Sequence, residues 1–365
     1  MGGPLRFGIV GVGKISAQYF ASLASLPGLE LVAVADLDES RAREAAAQQK
    51  VEAKSVSQLL DDKRVQAILN LTIPVAHAEV AIRALNAGKH VYTEKPLAVT
   101  PAEATEIIAA SKQTGLRVGS APDTVLGTGI QTARQQIDGG SIGRPVGATA
   151  SWVSPGHERW HPAPQFYYQQ GAGPLYDMGP YYISALVTML GPVVRVSGAV
   201  GRSARERIIE TGPSAGERIA VDVDTHVNAI LEHASGVAST VTMSFDVWAS
   251  RVPNIEVYGT SGTLAVPDPN HFSDPVEIWT KDEPEWRTVA PTAGYANASR
   301  GYGLADLGRA IETNRPHRAS AELAFHVLEI MDAILKSGTD HHVISLASSV
   351  ERPAPVPLGA LPNTW

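Results

Sequence analysis

The sequence predicts an α/β chain of two domains, an N-terminal doubly wound parallel sheet over 1–122 and a C-terminal α+β domain over 123–365 with a largely antiparallel open sheet. Three observations carry this. Continuous apolar runs alternate with helical segments from Leu5 to about Ala121, the pattern of strands buried on both faces and joined by right-handed crossovers. Past Pro122 the strands lie at wider spacing and several alternate polar with apolar residues, as in a half-buried antiparallel sheet. At 365 residues the chain also exceeds the length over which one hydrophobic core keeps growing.

In the first domain Leu5 to Val10, Leu29 to Ala35, Ala67 to Leu71, His90 to Tyr92 and Arg117 to Gly119 read as strands. Thr100-Pro101-Ala102-Glu103 offers an N-cap, a proline at the first helical position and an early acid for a helix running to about Lys112. In the second domain the strands are Gly147 to Val153, Val193 to Val200, His226 to Glu232, Val237 to Phe245, Ile255 to Tyr258 and Thr263 to Val266. One face of such a sheet covers its own helices and the other meets solvent or a copy of itself, so a homodimer or homotetramer through this sheet is expected. Leu323, Val327, Ile330, Ile334 and Leu335 recur at helical spacing and set a helix from Ala321 to Lys336. The proline-rich tail after Leu346 is expected to run extended.

Composition excludes several function classes. The net charge of -7, from 30 basic and 37 acidic residues without long runs, argues against a nucleic-acid partner or an anionic membrane surface. There is no cysteine, which removes disulfides, zinc-thiolate sites and thiol nucleophiles. No stretch approaches the ~20 apolar residues needed to cross a bilayer, and no leader pattern precedes Leu5, so the cytoplasm is the expected compartment. His341 and His342 read as exposed loop residues, and no spacing suggests a metal site.

The chemistry begins at Gly11-Val12-Gly13-Lys14-Ile15-Ser16, a glycine turn after the first strand with serine in the third small-residue place. Gly11 permits the tight turn, Gly13 lets the backbone approach a pyrophosphate, and the helix start offers free N–H groups. Alone, such a turn serves structure as readily as it serves a dinucleotide. Asp36 shifts the balance, because it ends the second strand 20 residues beyond Ser16. A carboxylate there accepts hydrogen bonds from ribose hydroxyls and repels a 2'-phosphate, which points to NAD over NADP. The alternative for Asp36 is a solvated strand-end acid.

The second signal is Glu94-Lys95-Pro96, placed directly after a buried parallel strand. Proline fixes the backbone there, and a cis bond is open to it. A free lysine titrates near ~10.4, so it becomes a useful base at neutral pH only where burial and a neighbouring cationic ring favour its uncharged form. Outside that context the same lysine is a surface cation.

The run from Ala84 to Pro96, with Ala87-Gly88-Lys89-His90-Val91 leading to Glu94-Lys95-Pro96, resembles the glucose-fructose oxidoreductase and inositol dehydrogenase family, written Gfo/Idh/MocA. Thr72-Ile73-Pro74 with His77, Gly171 to Gly179, and Gly301-Tyr302 before a helix match as well, so the resemblance spans nearly the whole chain. It implies NAD(P)-dependent oxidation or reduction of a sugar or polyol, with hydride passing in a cleft between the domains and Lys95 beside nicotinamide and substrate. It also implies cofactor contacts from Gly11, Gly13, Lys14, Ile15, Asp36, Thr72, Ile73, Pro74, His77, Glu94 and Lys95.

Family members commonly carry Asp-x-x-x-His at the start of the helix after the glycine-rich segment, whereas this chain has Asp177 with Tyr181 four residues on. Positions four apart share a helix face, so both side chains can address one substrate. Tyrosine near ~10 donates hydrogen bonds where histidine near ~6.5 shuttles protons. Lys95 then carries the proton transfer, Asp177 orients the substrate and Tyr181 donates to the reacting oxygen. The competing readings are a helix N-cap for Asp177 and a core aromatic for Tyr181. Among the rings and charges of Trp152 to Pro162, Arg159, Trp160 and His161 are substrate-contact candidates, and His161 is a possible spatial substitute for the missing histidine. Two other functions fit the same scaffold: an NAD-dependent glycosidase working by transient oxidation, and a non-catalytic NAD-sensing regulator.

Overall fold

The computed structural model describes residues 3–362, which divide into two compact units. The first is built on β1 (Leu5–Val10), α1 (Ser16–Leu23), β2 (Leu29–Ala35), α2 (Glu39–Gln49), β3 (Glu52–Ala53), α3 (Val56–Asp61), β4 (Ala67–Asn70), α4 (Pro74–Asn86), β5 (His90–Thr93), α5 (Pro101–Thr114) and β6 (Val118–Ser120). The six strands lie in the order β3-β2-β1-β4-β5-β6, every pair parallel. Their unbroken apolar runs are the reason: Ile9, Val34, Ile68, Leu69 and Val91 are fully buried, as strands covered on both faces must be. α5 starts at Pro101 as expected, and the expected N-cap Thr100 and early acid Glu103 also bond each other's backbone N–H groups reciprocally.

The second unit holds α6 (Thr128–Asp138), β7 (Pro145–Val153), α7 (Gly173–Leu190), β8 (Val193–Gly201), β9 (Glu206–Ile208), β10 (Arg218–Ala220), β11 (His226–His233), β12 (Ala238–Ser244), β13 (Ile255–Gly259), β14 (Gly262–Val266), β15 (Val276–Thr280) and β16 (Arg287–Val289). After α8 (Tyr302–Thr313) and α9 (Ala321–Asp340), β17 (Ile344–Ser345) closes a nine-stranded sheet ordered β16-β15-β14-β13-β7-β12-β11-β8-β17. Only the β7–β12 pair among these is parallel, and a separate hairpin joins β9 to β10. α7 is buried almost all round, and it lies with Val227, Leu231, Val241, Met243 and Val257 in the core. The alternate residues Asn228, Ile230 and Thr240 are exposed.

The observed units depart from a single cut after residue 122. The first unit keeps 123–128 and regains 293–325 and the described residues from 353 on, while the second is 129–292 with 326–352. Backbone pairing on the open edge of β6 explains this: Ser120 donates to the Ala319 carbonyl at 3.0 Å, and Gly119 bridges Ser320. Buried Asp123 seals the join, accepting from the Gly301 and Gly303 N–H groups at 2.9 and 3.1 Å.

Candidate active site

The turn after β1 folds as its glycines dictate. Gly11 has a φ of +93°, and a Cβ on it would sit 2.7 Å from the Leu71 carbonyl carbon, so no other residue fits. Gly13 is different: a Cβ there would meet nothing within 4 Å. Ser16, in the third small-residue place, is buried and its hydroxyl donates to the Gly13 carbonyl at 2.7 Å. Lys14 is exposed and Ile15 half-buried at the mouth of the turn. Asp36 is tied to this turn, since Oδ2 accepts from the Val12 N–H at 2.8 Å and Oδ1 from the Asp38 N–H at 2.9 Å.

At the end of β4, fully buried Asn70 braces the next turn. Its carbonyl oxygen accepts from the Thr72 hydroxyl at 2.7 Å, and its amide donates to the His77 carbonyl at 3.1 Å. Ile73 is largely exposed at the N-cap of α4, with Pro74 in the first turn. The buried His77 ring has its nitrogens 2.6 Å from the Pro96 carbonyl oxygen and 3.0 Å from that of Thr72, and burial pushes its pKa down. Thus one side chain links the two turns at the strand ends.

Lys95 follows β5, half-buried, and its peptide bond to Pro96 is cis. Glu94 fixes it from behind, for its carboxylate is buried and accepts from the Lys95 N–H at 2.9 Å and from the Tyr19 hydroxyl at 2.7 Å. Burial first, and the Glu94 charge second, raise the Tyr19 phenol well above its ordinary value, so it stays a donor.

In the second unit Asp177 lies one turn inside α7, whose N-cap is Ala172, so Asp177 is not the helix cap. Its Oδ2 is 2.9 Å from Nε2 of His157, a ring only 5% exposed. Tyr181 is buried one turn further along the same helix. His157 opens a short 3₁₀ turn over His157–Arg159, and its Nδ1 accepts from the Trp160 indole N–H at 3.2 Å. Trp152, Tyr167 and Phe245 pack edge-on or tilted around the same ring, with centroids 4.2 to 6.0 Å away. Arg159 turns aside, pairing with Glu210 at 2.9 Å and lying 4.1 Å from the Trp248 ring centre. Trp160 stays half-exposed, while His161 accepts from the Ala163 N–H at 3.1 Å.

Residues 5–121 match the model of an oxidoreductase family with an NAD-binding Rossmann fold, and residues 130–265 match that of the GFO/IDH/MocA C-terminal domain. Trans-1,2-dihydrobenzene-1,2-diol dehydrogenase of Mus musculus is 30% identical over 269 residues, covering 72% of this chain and 74% of that protein. The chain belongs to the Gfo/Idh/MocA family. Inositol 2-dehydrogenase of Salmonella typhimurium is 37% identical over 152 residues, 39% of this chain, so the match spans under half of that protein, 44%. Levoglucosan dehydrogenase in complex with NADH and L-sorbose superimposes with a TM-score of 0.79 at 22% identity, covering 95% of this chain and all of that one, a likeness of fold.

For a Gfo/Idh/MocA chain the first unit fits NAD: the Gly13 backbone is open to a pyrophosphate, the acid at the end of β2 borders the same turn, and a cavity of about 640 Å³ opens beside Asp36. The imidazole brought to Asp177 is that of His157, which sequence reasoning passed over in favour of His161. The signal was the spacing His157-x-x-Trp160, since residues three apart eclipse in a 3₁₀ turn. Among the described residues no group of three or more His, Cys, Asp or Glu side chains could hold a metal ion, and no helix is long and apolar enough to cross a membrane.

Proposed function

We propose that this chain is an NAD-dependent oxidoreductase that moves hydride between nicotinamide and a sugar or polyol hydroxyl or carbonyl, with Lys95 as the acid/base. The observation that carries the reading is the seating of Lys95, whose N–H is bonded by Glu94 and whose neighbour Pro96 is bonded by His77. Two buried polar side chains, one on the Lys95 N–H and one on the Pro96 carbonyl, make sense where the lysine's amine must be aimed. Bound at the glycine turn, NAD supplies the hydride acceptor or donor. In the oxidative direction Lys95 takes the hydroxyl proton as the C–H bond yields hydride, and in reduction it returns that proton to the carbonyl oxygen. Asp177 orients the substrate and Tyr181 donates to the reacting oxygen.

NAD rather than NADP is favoured by the charges around the cavity beside Asp36. Arg43, Lys54 and Arg83 line it, yet each is paired, with Glu39 at 3.1 Å, Asp62 at 3.0 Å and Glu79 at 3.1 Å respectively. The acid at the end of β2 instead accepts from backbone N–H groups, those of Val12 and Asp38. The substrate class rests on relatives that are dehydrogenases of inositol, a dihydrobenzenediol and levoglucosan. We further propose a cytoplasmic homodimer or homotetramer, assembled through the exposed sheet face that carries Asn228, Ile230 and Thr240.

The test is a panel of monosaccharides, inositols and their keto forms with NAD and NADH, followed at 340 nm, on the natural chain and on Lys95→Ala. Turnover by the first and its loss in the second, with NAD affinity retained, is the expected result. Undiminished turnover in Lys95→Ala would remove the lysine from the chemistry.

A further inference from the structure

The Asp177 carboxylate is met by an imidazole whose own position is unusually constrained. Both ring nitrogens of His157 are engaged, Nε2 with Asp177 at 2.9 Å and Nδ1 with the Trp160 indole at 3.2 Å. An indole N–H can only donate, so Nδ1 is the acceptor and Nε2 carries the proton given to the carboxylate. The pair therefore fixes the ring's tautomer as well as its angle.

The backbone under the ring is fastened independently. The His157 N–H donates to the Tyr168 hydroxyl at 3.1 Å, and that hydroxyl donates to the buried Glu158 carboxylate. Glu158 is paired with Arg207 of β9 at 2.8 Å, and Arg207 also pairs with Asp246 and donates to the Pro155 carbonyl at 3.3 Å. A small core of Tyr168, Ile209, Ile219, Val221 and Phe245 lies beneath. Buried ion pairs are a poor way to gain stability, because desolvation offsets most of their attraction. They are a good way to hold one geometry.

We propose that His157 is a positioning residue for Asp177, orienting the carboxylate that handles substrate, and that the Glu158–Arg207 pair holds the imidazole at that task. This rests on the reading of Asp177 as a substrate-orienting group. A misplacement of about 1 Å in such a group costs on the order of 10²-fold in rate, so the effect belongs in kcat.

The test pairs kinetics with a measurement that needs no substrate. With NAD and either myo-inositol or D-glucose, whichever turns over faster, His157→Ala is expected to lower kcat by roughly 100-fold while KM changes much less. His157→Gln, which keeps an amide N–H at about the reach of Nε2, is expected to restore most of that loss. A role in packing alone predicts equal behaviour of the two variants, and either that result in folded protein or a change under threefold in His157→Ala would overturn the proposal. Imidazole ¹⁵N spectra of the natural chain should show His157 protonated at Nε2, with resonances that move in Asp177→Asn. A ring protonated at Nδ1, or one indifferent to Asp177→Asn, overturns the proposal even if neither compound is turned over, an outcome that would count against the oxidoreductase reading instead.

Discussion

The Tyr19 hydroxyl donates to Glu94 at 2.7 Å, joining the first helix after the glycine turn to the strand end that presents Lys95. Both groups are buried, and the other oxygen of the same carboxylate holds the Lys95 N–H. Tyr19→Phe leaves a buried carboxylate short of one donor, which costs about 1–3 kcal/mol. A lower thermal midpoint together with a several-fold fall in kcat is the expected pattern in melting and steady-state assays. A variant that melts and turns over like the natural chain would show that the phenol does not brace the lysine.

The two glycines of the turn should fail in different ways. Gly11→Ala adds a Cβ 2.7 Å from the Leu71 carbonyl carbon at a φ of +93°, so stability should fall by about 3 kcal/mol or more, seen as loss of soluble folded protein. Gly13→Ala meets open space and should melt like the natural chain. Its NAD affinity should nevertheless drop by about tenfold or more in fluorescence titration, because the methyl occupies room meant for a pyrophosphate. Unchanged affinity would dissociate the turn from cofactor binding.

Asp36 bonds the Val12 N–H with one carboxylate oxygen. Asp36→Asn can keep that acceptor while losing the charge that repels a 2'-phosphate, so the natural chain should favour NAD by at least about tenfold in kcat/KM and the variant should narrow the ratio. Paired kinetics with NAD and NADP decide it. A preference for NADP in the natural chain defeats the assignment.

Acid should loosen the fold before carboxylates titrate. His326 accepts the Val193 N–H at 3.1 Å and His90 accepts the Arg117 N–H at 3.0 Å; burial pushes both pKa values down to about 4. Because the folded values lie below the ordinary 6.5, the neutral rings contribute stability fully above pH 6.5, and this is lost as pH falls toward 4. For His326 the shift corresponds to at most about 3 kcal/mol. Urea midpoints should decline between pH 6.5 and 4.5, less steeply in His326→Gln. A flat profile would count against it.

Much of the first unit is legible in the sequence because its signals are local. Unbroken aliphatic runs such as Ala67 to Leu69 report burial on both faces, and a Thr-Pro-x-Glu cap marks a helix start without tertiary help. The strands of the nine-stranded sheet that alternate cleanly were found for the same reason. Elements of two or three residues, such as β3, β9, β10, β16 and β17, are too short to establish a period. β15 alternates only over Val276, Glu277 and Ile278 before Trp279 breaks the pattern, so its signal is equally short. The return of 293–325 to the first unit is invisible to pattern, since it depends on edge pairing with a strand some 200 positions earlier, as in Ser120 with Ala319. His157 escaped because a 3₁₀ turn sends neighbouring side chains in different directions, and three rings and an arginine within five residues compete for the same role.

The threefold assembly of the first unit bears on how the protein is made. Arg318, almost fully enclosed, donates to the Ala354 and Pro355 carbonyls, and Gly294 donates to that of Val356. A ribosome that has released only the first 128 residues has therefore emitted a sheet with one flank unsealed, and Ala319 and Ser320, which pair with its edge strand, are translated much later. Nascent chains stalled before codon 319 should remain open to protease at that flank, however well the six strands have paired.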